Sequence, residues 1–134
     1  MDMETIFIHE TDESIRDVLT IIFNSEDYQV KFFERYGDWF LRSLSTNPSL
    51  VILDFKLTGE VSIAACQLIR HRYPYLPVLA MSCNERIGDL YLRHGFDDYI
   101  LKPFDVTELL SVVRRMISTA KISKHKTCTV TASN

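Results

Sequence analysis

The fold is decided by a stretch in the middle of the chain, Leu50-Val51-Ile52-Leu53-Asp54, in which four branched apolar residues end on a carboxylate. A run this short after the turn residues Asn47-Pro48-Ser49 is typical of a strand that is buried on both faces of a parallel sheet. Three similar runs occur elsewhere, and each also ends on a polar side chain. They are Ile6-Phe7-Ile8-His9-Glu10, Val78-Leu79-Ala80-Met81-Ser82 and Tyr99-Ile100-Leu101-Lys102.

Between these runs, apolar residues recur at the three- and four-residue spacing of amphipathic helices. The predicted faces are Ile15, Val18, Leu19 and Ile22 in the first helix, Val61, Ala64, Ala65 and Leu68 in the third, and Leu109, Val112, Val113 and Met116 in the last. A strand from Tyr28 to Phe33 and helices from about Gly37 to Ser45 and about Glu85 to His94 complete the order. Five β-α units predict an α/β fold, a doubly wound five-stranded parallel sheet of the flavodoxin-like type with strand order 2-1-3-4-5.

Residues at the helix ends support these boundaries. Asp105 can cap the last helix, with Glu108 reaching back in a variant of the capping box. Gly95 suits the position just beyond the fourth helix. Periodicity is lost after Ala120, so we expect one domain over residues 1–120 and a basic, polar and disordered tail over residues 121–134.

The composition argues against several classes of protein. A net charge of −3 and a pI near 5.8 differ from the basic face of a nucleic-acid-binding domain. No apolar stretch reaches the roughly 18–20 residues of a membrane span, and the acidic N-terminus is unlike a secretory signal. Three cysteines without a C-x-x-C pair indicate reduced thiols. We therefore expect a cytoplasmic protein that contacts neither nucleic acid nor membrane directly.

The ends of the predicted strands indicate the chemistry. In a parallel sheet the carboxyl ends of the strands form one edge, where ligands bind. Phosphoryl transfer needs an oxygen nucleophile, a divalent cation on hard oxygen ligands, and donors for the transferred oxygens. Asp54 can be the nucleophile and Glu10 a cation ligand, while Ser82 and Lys102 supply a hydroxyl and an ammonium group.

With these residues the chain resembles the receiver domain of response regulators in two-component signalling, over roughly residues 4–119. The resemblance is carried by the Asp54 strand with Leu57 and Gly59, by the opening Ile6-Phe7-Ile8-His9-Glu10-Thr11-Asp12-Glu13-Ser14-Ile15-Arg16, and by Gly95-Phe96-Asp97-Asp98-Tyr99-Ile100-Leu101-Lys102-Pro103-Phe104. It implies a signalling switch that accepts a phosphoryl group on Asp54 from a sensor histidine kinase or a phosphotransfer protein. It implies no enzymatic activity beyond the domain's own aspartyl phosphorylation and dephosphorylation.

The resemblance also assigns roles around the acceptor. Lys102 becomes the partner of the phosphoryl group, and Pro103 follows a cis peptide bond. Ser82 and Tyr99 match the switch residues, a hydroxyl that moves toward the phosphoryl group and an aromatic whose rotamer follows it. A downstream protein would bind the surface of the fourth helix, fifth strand and fifth helix, and with no effector domain the chain would act through such contacts.

The chain departs from the family on the metal side. Mg²⁺ would be held by Glu10, Asp54, the backbone carbonyl of Lys56 and Thr11. A neutral hydroxyl at Thr11 replaces the usual second carboxylate, so we expect weakened Mg²⁺ binding. Asp12 is expected to cap the first helix rather than to compensate. Lys56 either faces solvent or turns inward and places a fixed ammonium in the vacated charge position.

Three alternatives to a phosphorylated receiver follow from the same residues. The departures at Thr11 and Lys56 also suit a degenerate receiver that binds partners without phosphorylation. Asp54-Phe55-Lys56-Leu57-Thr58 approaches the D-x-D-x-T pattern of haloacid-dehalogenase-type phosphatases, but Lys56 stands where those enzymes need an acid. A flavin-binding flavodoxin is disfavoured because Glu10, Asp12 and Glu13 would repel a phosphate in its first loop.

Overall fold

The structure is a computed structural model, and it describes residues 3–35, 37–56 and 58–133. Strands and helices alternate along the chain. They are β1 (Thr5–His9), α1 (Glu13–Asn24), β2 (Gln29–Phe33), α2 (Asp38–Ser43) with a 3-10 turn (Leu44–Thr46), β3 (Leu50–Asp54), α3 (Glu60–Arg72), β4 (Val78–Ser82), α4 (Ile87–Leu90), β5 (Asp98–Leu101) and α5 (Val106–Ser133). Leu57 of the resemblance and Asn134 of the predicted tail lie outside the described residues.

The five strands form one parallel sheet in the order β2-β1-β3-β4-β5, which confirms the predicted fold class and strand order. Every residue of β3 and β4 is buried. These strands lie inside the sheet and are covered by helices on both faces, which explains their continuous apolar sequence. The edge strand β2 alternates between more and less exposed residues instead.

Two apolar cores cover the two faces of the sheet. On one face, α1 and α5 pack against the strands through side chains such as Phe23, Leu109 and Val113. On the other face, the core contains Phe40 from α2 and Ile69 from α3. This division is the doubly wound arrangement that right-handed β-α-β crossovers produce.

The predicted face of α3 is wrong in part. The buried residues are Ser62, Ala65, Cys66 and Ile69, whereas Val61, Ala64 and Leu68 are exposed. A serine and a cysteine, which the apolar pattern did not count, lie on the buried side. Burial is tolerated because the Ser62 hydroxyl donates to the Gly59 carbonyl, and a free cysteine behaves as a small apolar residue.

Helices α1 and α4 also differ from prediction, α1 in which residues are buried and α4 in its length. In α1, Val18 is exposed and Phe23 is buried. The helical part of α4 is a single turn, shorter than predicted, and Gly95 beyond it has the left-handed φ of 92° that favours glycine.

In α5 the whole predicted stripe is buried, and the Asp105 side chain accepts from the Glu108 amide at 3.1 Å. We expected the helix to end near Ala120, but it continues to Ser133. The division into a domain over residues 1–120 and a tail stays a prediction. Among the described residues, no helix combines the length and the apolar character of a membrane span.

Candidate functional site

Four predicted site residues lie at the carboxyl edge of the sheet. Glu10 directly follows β1, Asp54 and Ser82 end β3 and β4, and Lys102 directly follows β5. Glu10, Asp54 and Ser82 are at most 5% exposed. A polar group at such depth requires a partner, because an unpaired buried charge is costly.

The Lys102 ammonium joins the two buried carboxylates. Its Nζ lies 2.8 Å from Glu10 Oε2 and 3.1 Å from Asp54 Oδ1. Burial alone would lower the pKa of Lys102, but the hydrogen bond to Glu10 and the charge of Asp54 outweigh it, so the pKa is raised above its ordinary value. The lysine therefore stays charged and compensates both acids.

Lys56 turns toward the other oxygen of the same aspartate. Its Nζ donates to Thr11 Oγ1 at 2.7 Å and lies 3.5 Å from Asp54 Oδ2. Oδ2 is buried and accepts no hydrogen bond from the described part of the chain. Of the two orientations that the sequence allowed for Lys56, the structure has the inward one, although about half of the side chain remains exposed.

The loop after β3 holds Lys56 in place through two residues that sequence reasoning did not single out in this role. The Phe55 ring is buried, packs edge-on to Phe96 and lies against Gly59, where a Cβ would overlap it. Gly59 has a φ of 77°, and its amide donates to the Lys56 carbonyl at 2.7 Å. The spacing of Phe55 and Gly59, four positions apart, was the sequence signal that could have indicated this contact.

Glu10 and Asp12 have separate tasks in the loop after β1. The Asp12 amide donates to Glu10 Oε1 at 3.1 Å, so both oxygens of Glu10 are engaged. The Asp12 side chain accepts from the amides of Ser14 and Ile15 at 2.9 and 3.2 Å. Asp12 thus caps α1, as predicted.

The predicted switch residues lie on the β4 and β5 side. Ser82 Oγ accepts from the Asn84 amide at 2.9 Å, a bond that does not use the hydroxyl proton. Tyr99 is half-buried; its ring packs 4.9 Å from the Tyr91 ring, and its hydroxyl lies 3.1 Å from where a Cβ on Gly88 would stand. The absence of a side chain at Gly88 therefore makes room for Tyr99, a contact that the sequence did not indicate.

The peptide bond between Lys102 and Pro103 is cis, as the resemblance implied. The Lys102 amide donates to the Ser82 carbonyl at 2.8 Å, which ties the end of β5 to β4. A parallel sheet in this order, with a buried aspartate bound by a lysine at its carboxyl edge, defines a flavodoxin-like α/β domain with an acidic site.

Comparison with known proteins specifies the family. The family model described as "Response regulator receiver domain" matches residues 6–114, and the chain belongs to this family of two-component signalling proteins. The transcriptional regulatory protein CreB of Escherichia coli K12 is 30% identical over 123 residues, which are 90% of this chain and 54% of CreB. The phosphate regulon transcriptional regulatory protein PhoB of Rhizobium meliloti is 30% identical over 122 residues, which are 87% of this chain and 53% of PhoB.

Solved structures agree with this assignment. NtrX from Brucella abortus superposes with a TM-score of 0.80 and 27% identity, over 94% of this chain and 29% of NtrX. A putative response regulator from Chloroflexus aurantiacus superposes with a TM-score of 0.76 and 24% identity, over 87% of this chain and 99% of the other chain. This likeness supports the fold. The chain spans about half the length, or less, of the first curated relatives that it matches.

Receiver domains generally bind Mg²⁺ at the acidic site, but the donors of this chain do not fit such an ion in their present arrangement. Both carboxylates are bonded to ammonium groups, Glu10 and Asp54 to Lys102 and Asp54 also to Lys56. In the described residues, no three His, Cys, Asp or Glu side chains come together as a metal-binding group. A hard dication prefers several free oxygens, ideally anionic ones.

Proposed function

We propose that this protein is a phosphorylation-dependent signalling switch in which Asp54 accepts the phosphoryl group. The observation that carries the proposal is the Lys102 ammonium, held between Glu10 and Asp54 Oδ1 at the carboxyl edge of the sheet. This lysine offsets the formal charge of a buried aspartate and places a hydrogen-bond donor beside it. A nucleophilic carboxylate and an adjacent cation are the two parts that phosphoryl transfer needs first.

The reaction uses groups already near one another. A carboxylate oxygen of Asp54 attacks the phosphorus of a phosphohistidine on the kinase or phosphotransfer protein. The phosphorus–nitrogen bond breaks, the leaving nitrogen keeps the electron pair and is protonated, and an acyl phosphate remains on Asp54. Lys102 then donates to the transferred oxygens, and the Ser82 hydroxyl becomes a second donor. Beyond this self-modification we propose no enzymatic activity.

The phosphorylated state would be read on the surface formed by α4, β5 and α5. Tyr99 connects the site to α4 through its contacts with Tyr91 and Gly88. Leu92, two residues beyond α4, and Leu101, at the end of β5, are exposed apolar side chains, which suits a protein partner. A downstream protein would therefore bind here once Ser82 and Tyr99 have moved.

The metal affinity, the cellular location and the lack of nucleic-acid contact are proposals as well. We propose weak Mg²⁺ binding, because an incoming dication would have to displace ammonium groups from Glu10 and Asp54. We also propose a cytoplasmic protein that does not itself contact nucleic acid, in keeping with its net charge of −3. Some relatives are named DNA-binding transcriptional regulators, and they are longer than this chain.

A second candidate is a degenerate receiver that binds its partner without phosphorylation. It is favoured by one observation, the close approach of two lysines to Asp54, which leaves the aspartate already compensated. In that case the residues of the site would have a structural task only.

Intact-protein mass spectrometry after incubation with acetyl phosphate separates the two candidates. We expect one phosphoryl group on the wild type and none on Asp54→Asn, which removes the charge and keeps the shape. Asp17→Asn, on the exposed side of α1, is the matched control and should be labelled like the wild type. An unmodified wild type under strong phosphodonor would contradict phosphorylation and favour the degenerate receiver.

A further inference from the structure

We infer that the Lys56 ammonium takes the place of the divalent cation, so that phosphoryl transfer to Asp54 needs no metal ion. The inference rests on the proposed function, since it concerns how the same site manages its charge. The family resemblance gives functional side chains to Glu10, Asp54 and Lys102 but not to Lys56. The inference assigns the Lys56 side chain a charge-compensating role.

The position of Lys56 supports this role. Its Nζ lies 3.5 Å from Asp54 Oδ2, while Lys102 binds Oδ1, so the two ammonium groups approach different oxygens of one carboxylate. The Lys56 backbone is fixed by the Gly59 amide, and the neighbouring Phe55 ring is buried. The loop therefore directs the lysine toward the site.

Thr11 matches an ammonium group better than a metal ion. Its hydroxyl accepts from Lys56 Nζ at 2.7 Å. A neutral hydroxyl is a good acceptor for an ammonium proton, but Mg²⁺ is held chiefly by carboxylates and phosphates. The two departures from the family pattern, at residues 11 and 56, thus form one interaction and support one another.

The charges of the site lead to the same conclusion. Two carboxylates, Glu10 and Asp54, face two ammonium groups, Lys56 and Lys102, and the set is neutral. A dication entering beside Asp54 would meet the Lys56 charge at short range and would leave the site with excess positive charge. Phosphoryl transfer instead adds one negative charge to Asp54, which two ammonium groups can share.

Lys56 can also follow the phosphoryl group. About half of its side chain is exposed, so the flexible stem moves at little cost. Asp54 Oδ2 accepts no hydrogen bond from the described residues, so only its 3.5 Å ion pair with Lys56 has to open when the phosphodonor arrives. The attacking oxygen, the transferred group and the ammonium can therefore come together without rearrangement of the buried side chains.

The first test measures the initial rate of acetyl-phosphate labelling in EDTA and in millimolar Mg²⁺. The wild type should be labelled at rates that agree within about threefold, and Lys56→Met should be slower in EDTA by about tenfold or more, the scale on which one positioned donor acts. Arg72→Met is the matched control, because it removes one exposed positive charge at the other end of α3. A wild-type rate that falls further in EDTA, or a Lys56→Met rate within about threefold of wild type there, overturns the inference.

The second test needs no phosphorylation. Backbone amide resonances of residues 10–12 and 54–56 are followed during a Mg²⁺ titration of the wild type and of Thr11→Asp/Lys56→Met. We expect saturable shifts in the double variant at millimolar Mg²⁺ and none in the wild type; equal affinities would overturn the inference. If no protein is labelled in any buffer, the proposed function and metal-free transfer both fail, and the titration shows only whether the Thr11–Lys56 pair together excludes the ion.

Discussion

The two lysines beside Asp54 are built into the molecule in different ways. Lys102 follows β5, has a side chain only 12% exposed, and bonds two buried carboxylates. Lys56 lies on a loop, has a side chain 54% exposed, and meets Asp54 and an exposed hydroxyl. One lysine is therefore part of the folded core as well as of the site, whereas the other can change with little effect on folding.

The largest expected difference between the two lysines is in the free energy of unfolding after each is replaced by methionine. Lys102→Met leaves Glu10 buried without its ammonium partner and Asp54 with Lys56 alone, and we expect a loss of about 3–5 kcal/mol in the free energy of unfolding. Lys56→Met breaks only a half-exposed ion pair and should cost less than about 1 kcal/mol. Urea unfolding in metal-free buffer at neutral pH measures both. Similar losses in the two variants would show that the lysines are not structurally distinct.

The two hydroxyls of the site allow the same comparison with a smaller effect. Ser82 is fully buried and accepts from the Asn84 amide, so Ser82→Ala should cost about 1–2 kcal/mol by leaving that part-buried amide without its acceptor. Thr11 is exposed, and water can replace it as the partner of Lys56, so Thr11→Ala should change stability by less than about 0.5 kcal/mol. Thermal and urea unfolding of both variants check the order. A Thr11→Ala variant as unstable as Ser82→Ala would contradict it.

The smallest expected effect concerns movement on the β4 side. Cys83 follows Ser82 and is exposed, whereas burial raises the pKa of the Cys66 thiol to about 11, so Cys66 stays protonated and unreactive at pH 8. In a Cys128→Ser background, acetyl phosphate or beryllofluoride should change the rate of Cys83 labelling by a thiol reagent about twofold or more, if the loop moves with Ser82. Cys66 is the internal control and should react only after unfolding. An unchanged Cys83 rate in phosphorylated protein would place the switch elsewhere.

The parts of the fold that were predicted correctly share a physical cause. Strand β3 and helix α5 bury whole runs or stripes of apolar side chains, so their sequences carry the pattern directly. The face of α3 was misassigned because the helix buries Ser62 and Cys66, whose chemistry depends on local partners rather than on hydrophobicity. The short α4 likewise has too few apolar residues to define its ends.

The same distinction applies to the site. The meeting of Glu10, Asp54 and Lys102 at one edge could be predicted, because parallel strands place their carboxyl ends at one edge of the sheet. The orientation of Lys56 could not, because it depends on Phe55 packing against Gly59 and on the Thr11 hydroxyl 45 positions away. Long polar side chains have several rotamers of similar energy, and distant contacts select among them.

The strand order and the receiver family follow from the sequence alone, since the buried strands and the residues at their ends carry both. The way in which the charge of Asp54 is compensated follows only from the fold. The two ammonium groups of Lys102 and Lys56 approach different oxygens of the Asp54 carboxylate. The reason is physical: hydrophobic periodicity is a local property of the chain, whereas the electrostatic balance of a buried site depends on distances between residues remote in sequence.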